Sequence, residues 1–363
     1  MTHRQRFLET MAFGRPDRPF RWESLGFWGA TIRRWETEGL PRGVAPERYF
    51  EFDPREDVPV NSGFTNCGFC PGFEEKILEE NSSTVVRRDG DGIVKRERKD
   101  NPELSMPQFL EFPVKTRKDF EELKSRLDPA TPERCGEAFR SAVQRYKTRD
   151  FPVTLLVCGA FGFPRNLFGV ERLLVTYYDD PQLIEDILEH WVFMYKGIFR
   201  RVLSEIDVDM LLIWEDMCFK NGPLISPAMF RRFMLEPYRE VISEAKRFGV
   251  PVIMVDTDGD ARLLIPLFVE AGVNALIPFE AAAGMDPVPL REKYGRSFAI
   301  VGGIDKRALS GTIEDVEREV LSKVPRLLET GGYIPCLDHS APPDIPFRNF
   351  ARFVELARSC ATV

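Results

Sequence analysis

From about residue 150 onward, short apolar runs alternate with long stretches of helical periodicity, and no other feature limits the fold so tightly. The runs fall at 151–157, 210–214, 251–255, 275–278, 298–301 and 332–335. Each is too short for a core helix and apolar throughout, the pattern of a strand buried on both faces of a parallel sheet. Between them, apolar residues recur at three- and four-residue spacing. Leu183, Ile187, Trp191, Tyr195, Ile198, Val202 and Ile206 lie on one unbroken stripe, Phe230, Phe233, Val241, Ala245 and Phe248 on a second, and Val316, Val320, Val324 and Leu327 on a third. Regular strand–helix alternation predicts an α/β chain, a single (β/α)8 TIM barrel domain over 1–363 with its regular units in 150–360. An open doubly wound sheet is the alternative, and it lacks the GxGxxG turn that would support it.

The amino-terminal third reads differently. Phe7, Leu8 and Met11 make a short amphipathic helix that stops at Gly14-Arg-Pro-Asp-Arg-Pro19. Phe20-Arg-Trp-Glu-Ser-Leu-Gly-Phe-Trp28 reads as a first strand running into a loop, Thr31 to Glu38 as a helix, and 41–80 as irregular. In 83–98, two β-rich runs flank Asp89-Gly-Asp-Gly92, a hairpin turn in which glycine supplies positive φ. Residues 1–110 are therefore an N-terminal elaboration that includes a β-hairpin, charged enough to face solvent.

Composition narrows the function classes. A net charge of −7 argues against a nucleic-acid partner and an anionic membrane surface. No apolar run approaches the ~18 residues needed to span a bilayer. No apolar segment follows the two arginines of Met1-Thr-His-Arg-Gln-Arg-Phe7, so a cytoplasmic location is expected. The seven cysteines are then free thiols by default; Cys67-Gly-Phe-Cys70 has CxxC spacing but no second pair to close a zinc site.

The chemistry gathers after the strands. Val252-Ile-Met-Val-Asp-Thr-Asp-Gly-Asp260 is an apolar strand breaking into three acids, with a helical pattern directly behind it. Asp260 alone could be a helix N-cap. The arrangement recurs, however: Glu215-Asp-Met-Cys follows one strand, Glu280 another, Gly302-Gly-Ile-Asp-Lys306 another and Cys336-Leu-Asp-His339 the last. In a barrel these loops share the carboxyl-end mouth where ligands bind. Carboxylates facing one mouth repel each other unless one is protonated or a cation lies among them. A divalent metal, zinc, is the expected solution. Asp256, Asp258 and His339 would form a three-ligand site with an open position, with Glu215 as fourth ligand or general base. Cys336 is a softer alternative ligand.

Several stretches resemble the uroporphyrinogen decarboxylase superfamily. They are Trp214-Glu-Asp-Met-Cys-Phe-Lys-Asn-Gly-Pro-Leu-Ile-Ser-Pro-Ala-Met-Phe230, Val255-Asp-Thr-Asp-Gly259, Gly302-Gly-Ile-Asp305 and Gly331-Gly-Tyr-Ile-Pro-Cys-Leu-Asp-His-Ser-Ala-Pro-Pro-Asp344. The likeness covers most of 150–360 and, more faintly, the start of the chain. It implies a single barrel with its pocket at the carboxyl ends of the strands, and two kinds of enzyme. Uroporphyrinogen decarboxylases need no cofactor and grip tetrapyrrole carboxylates with an arginine-rich amino-terminal motif. Here that stretch holds one arginine, Arg21, and one acid, Glu23, which would repel such a substrate. The superfamily's cobalamin-dependent methyltransferases include the methylcobalamin:coenzyme M enzymes, which hold zinc through a His-x-Cys-Gly motif and a later Cys; the matching positions here are Asp256, Asp258 and His339. That oxygen-rich set points away from a thiol and towards a methoxyl, hydroxyl or amine donor. The resemblance thus implies methyl transfer between a small methylated substrate and cobalamin on a corrinoid-binding partner protein. Glu215 and His339 would be catalytic and Asp256, Asp258 and His339 would bind metal. Trp22, Glu23, Trp28 and Phe163 would line the substrate. Alternatives are a tetrapyrrole decarboxylase and an inactive barrel that binds a corrinoid or its carrier. A homodimer is compatible with the sequence, which does not fix the oligomeric state.

Overall fold

In the computed structural model, which describes residues 1–100 and 106–362, thirteen strands form three sheets. Strand β1 (Glu56–Asp57) opens the main sheet from within the stretch expected to be irregular. Strands β2 (Lys76–Glu80), β3 (Thr84–Arg88), β4 (Val94–Arg98) and β5 (Gln108–Glu111) make an antiparallel sheet. The expected hairpin is its centre, with β3 and β4 paired around Asp89–Gly92. The main sheet resumes with β6 (Val153–Cys158) and β7 (Met210–Trp214). A two-residue pair, β8 (Cys218–Phe219) and β9 (Gly222–Pro223), follows. Then come β10 (Val252–Asp256), β11 (Ala275–Ile277), β12 (Ala299–Val301) and β13 (Tyr333–Ile334).

The main sheet is parallel and curled, in the order β1-β6-β7-β10-β11-β12-β13. Among the described residues it has seven strands, where the sequence predicted eight. The missing place belongs to the stretch expected to be the first strand. Residues 20–24 carry no strand ladder, because Arg21 spends its backbone elsewhere. Its N–H donates to the Asp53 carboxylate and its C=O accepts from the Asp53 N–H, both at 2.8 Å. Phe20 and Trp22 still enter the interior cluster with Met210, Leu212, Val252, Met254, Ile277 and Ile334. Alternate residues Leu211, Ile213, Ile253 and Val255 face the outer cluster under the helices. This two-sided burial is the period-2 geometry of a strand, and it explains why the runs read as continuously apolar.

The helices cover the outer face. The long periodic stripe is the helix Pro181–Leu203, started by the Asp180 carboxylate on the Leu183 N–H. It ties down the end of β6: Trp191 Nε1 donates to the Cys158 C=O at 2.9 Å, and the Cys158 N–H donates to Tyr195 Oη at 2.9 Å. The helix His3–Met11 lies beneath the sheet, with Phe7 edge-on to Phe20 at 5.2 Å. Among the described residues no helix is long and apolar enough to cross a membrane. The antiparallel sheet faces solvent as expected, with β2 and β5 exposed throughout and Val86 the only buried residue of its four strands, while its turn is tied back by the Phe73 N–H on the Gly90 C=O.

Candidate functional site

Strand parity decides what reaches the carboxyl edge. Val252 and Met254 face inward, so Asp256, the last residue of β10, faces the same way. Register places it beside Trp214 on one neighbour and Ile277 on the other. The loop beyond is held on three sides. Thr257 N–H donates to the Ile277 C=O at 3.1 Å, Gly259 N–H to Glu280 Oε2 at 3.0 Å, and Asp260 N–H to the Phe219 C=O at 2.9 Å. Gly259 sits at φ +74°, where a Cβ would come within 2.6 Å of the Cys218 backbone. Only glycine fits there without moving the loop. Asp260 does not cap the following helix, which starts at Ile265 with no side-chain cap; it pairs with Arg262 instead.

His339 is presented by an equally pinned segment. Leu337 N–H donates to the Glu23 carboxylate at 3.1 Å, and Asp338 N–H to the Ile304 C=O at 2.9 Å. The buried Asp338 carboxylate accepts the N–H groups of Ala281 and Lys306. Ala341 N–H donates to the Gly26 C=O at 2.9 Å. Between these ties the imidazole reaches Asp258, with Nε2 3.5 Å from Oδ2 and both groups partly exposed.

Burial favours the protonated form of some of these acids. Burial, then Asp258 and Asp216, hold Asp256 well above the usual carboxylate range. Burial does the same for Glu23. Asp258 raises His339 above the ordinary imidazole value, against a smaller opposing effect of burial. Asp256 and Glu23 are thus driven towards the neutral acid and His339 towards the cation.

Three corrections to the sequence reading follow. Glu215 does not face this mouth. Its fully buried carboxylate accepts the Phe161 and Gly162 N–H groups, each at 2.8 Å, and the Tyr238 hydroxyl. Tyr238 lies in the helix Leu235–Arg247, just after a π-helical turn at Phe230–Met234. Glu215 therefore anchors strand to helix, and burial against those donors leaves it at about 7. Second, the aromatic wall is not assembled. Phe163 is fully buried in the outer core, and Trp22 lies in the interior cluster with the Arg55 guanidinium 4.7 Å from its ring. Trp28 directly precedes the helix Gly29–Glu38, with its N–H on the Ala341 C=O. Glu23 does not act as a repelling charge at the substrate, being buried on Leu337. Third, the set Asp256, Asp258 and His339 does not close around an ion. Among the described residues no group of three or more His, Cys, Asp or Glu side chains is arranged to hold a metal. Zinc does not fit these donors as they stand. Cys336 turns to Ser24 Oγ at 3.3 Å and its thiol is pushed up by burial, which disfavours a thiolate ligand.

Two features escaped the sequence reading. Asp216 adopts φ +45° and Phe279 φ +65°, both at strand ends bordering the mouth. Such conformations cost on the order of 1–3 kcal/mol and gather at functional edges. The arginines of these loops are also already neutralised: Arg165 by Asp216, Arg262 by Asp260 and Arg307 by Asp305.

A family model described as "Uroporphyrinogen decarboxylase (URO-D)" matches residues 100–360. The uroporphyrinogen decarboxylase of Syntrophotalea carbinolica is 26% identical over 200 residues, covering 53% of this chain and 52% of its own length. That of Streptomyces coelicolor is 29% identical over 267 residues, covering 69% and 68%. The chain thus spans about half the length of the first relative and about two thirds of the second. Among solved structures, a methyltransferase from Methanosarcina mazei superposes with a TM-score of 0.65 over 99% of both chains at 15% identity, a likeness of fold.

Proposed function

Since the chain belongs to the uroporphyrinogen decarboxylase family, we propose that it is an enzyme that moves a methyl group from a small methoxyl- or amine-type donor to a corrinoid carried by a separate protein. The observation that carries this reading is His339 paired with Asp258 at 3.5 Å, with the buried Asp256 nearby driven towards its protonated form. Losing a methyl group without its bonding electrons leaves the donor's oxygen or nitrogen with a full pair that must take a proton. His339, biased towards the imidazolium by Asp258, supplies that proton, and Asp258 keeps the ring aligned as it does so. Positioned acids of this kind are worth about 10²–10⁴-fold in rate. Asp256 offers a second donor to the same heteroatom. The reduced corrinoid, when its carrier is docked, supplies the nucleophile that accepts the methyl group.

Tetrapyrrole decarboxylation is the weaker reading despite the decarboxylase relatives. Gripping a polyanion calls for several uncommitted cations at the mouth, and Arg165, Arg262 and Arg307 are each spent on a neighbouring carboxylate.

The test offers the purified protein a panel of methoxylated aromatics and methylated amines with a reduced corrinoid protein, following corrinoid methylation by absorbance. Transfer is expected, with His339→Asn lowering it at least about a hundredfold at unchanged thermal midpoint. Conversion of uroporphyrinogen to coproporphyrinogen would overturn the proposal. So would tight carrier binding with no turnover of any donor.

A further inference from the structure

The amino-terminal end of the sheet, opposite the mouth, carries an unbalanced positive charge. A cleft of about 900 Å³ opens there between residues 10–19, the end of the helix Ile313–Thr330 with the following Gly331–Tyr333, and residues 359–361. That volume is in the range of small-molecule sites. Arg15, Arg18 and Arg296 line it against a single acid, Glu329. Arg18 is already spent on Asp53, with both terminal nitrogens at 2.6 Å. Arg15 and Arg296 are exposed, on different segments of the wall.

Behind them lies a stranger group. Arg291 is only 5% exposed, and its guanidinium donates to the carbonyl oxygens of Gly295, Phe298 and Gly332, while Nε has no partner. Among the described residues no carboxylate pairs with it. Its plane lies 4.8 Å from the Phe13 ring, a lining residue that Arg296 also approaches at 5.8 Å. Burial and the neighbouring Arg296 lower Arg291 to about 10. Elsewhere the chain balances such cations with carboxylates, at Asp53 and Asp17, or holds them on backbone carbonyls, as it does the buried Arg134. At the cleft itself the exposed Arg15 and Arg296 share the lining with one acid, Glu329, in a chain of net −7.

We infer that this cleft is a binding site for a phosphate-bearing small anion, held between Arg15 and Arg296 beside the Phe13 ring. Two guanidinium forks approaching from separate segments suit a tetrahedral group with several acceptor oxygens better than a single planar carboxylate.

Calorimetric titration of the full chain with pyrophosphate, against succinate at matched ionic strength, tests this. Pyrophosphate is expected to bind one-to-one, and the double variant Arg15→Ala/Arg296→Ala to bind at least about tenfold more weakly. Both residues are exposed, so an unchanged thermal midpoint will certify the fold. His339→Asn, at the other end of the sheet, is expected to leave the binding intact. Absence of heat with pyrophosphate, equal affinity for succinate, or survival of binding in the double variant would each overturn the inference.

Discussion

Glu215 and Asp256 stand at the ends of adjacent strands, close enough that the Glu215 N–H donates to the Asp256 C=O at 2.9 Å. Both are buried acids whose proton affinity is raised, yet they are used in opposite ways. Glu215 falls on the outward parity and meets two backbone N–H groups and the Tyr238 hydroxyl. Asp256 falls on the inward parity and meets burial, Asp258 and Asp216. One residue of strand register separates a brace from a reactive group. A carboxylate at a barrel mouth is therefore no indication of chemistry until its face is known.

The widest separation between the two is expected in stability. Glu215→Ala strands three buried donors, and about 3–5 kcal/mol should be lost in urea unfolding. Asp256→Asn keeps the shape of the protonated acid, so its stability should match wild type within about 0.5 kcal/mol near pH 4 and exceed it at neutral pH, where the raised carboxyl costs the wild type, while methyl transfer falls. Equal destabilisation by both would erase the distinction. Next in size is Gly259→Ala: the strained φ and the Cys218 contact predict a loss of about 1–3 kcal/mol, with activity falling because Asp258 shifts from His339.

The pH dependence sharpens the comparison further. A carboxyl whose folded value is raised costs stability as pH climbs from its unfolded value to its folded one. Glu215→Gln should thus flatten the stability profile between about 4.5 and about 7. Asp256→Asn should do so from about 3.8 upward. The His339–Asp258 pair behaves likewise: its contribution is complete below about 6.5 and fades as pH rises through the raised folded value of His339. Activity that depends on the imidazolium should fall over that same upper window, and His339→Asn should remove that limb. The smallest effect is expected from Phe163→Leu, about 1 kcal/mol of core packing with KM unchanged, because that ring touches no mouth.

The sequence made the scaffold legible where burial is two-sided. The runs at 210–214 and 251–255 announce β7 and β10 because both faces are apolar, and the Pro181–Leu203 helix follows from its stripe. The same two-sidedness hid the parity, since an unbroken apolar run does not say which residue faces in. Glu215 could not be told from Asp256 for that reason. Strand β1 was invisible because Glu56 and Asp57 are charged and acquire their partners Val153 and Thr154 only through the fold. Glu23 was read as a charge because sequence carries no measure of burial. The rim acids were expected to hold a metal, but Asp256, Asp258 and His339 are not arranged as a ligand group among the described residues, and Asp260 and Asp305 each pair with an arginine.

A curled sheet that ends at β1 on one side and β13 on the other has a seam closed by single backbone bonds, such as Ala341 N–H to Gly26 C=O and Asp53 N–H to Arg21 C=O, and by side chains, with no continuous strand ladder. Ser24 Oγ, the Glu23 carboxylate and the Asp53 carboxylate do the stitching there. Because β1 holds only two residues, that border has little of its own to resist parting. The first thirty residues thus serve as a latch, and hydrogen exchange is expected to find the chain opening there before it opens between β7 and β10.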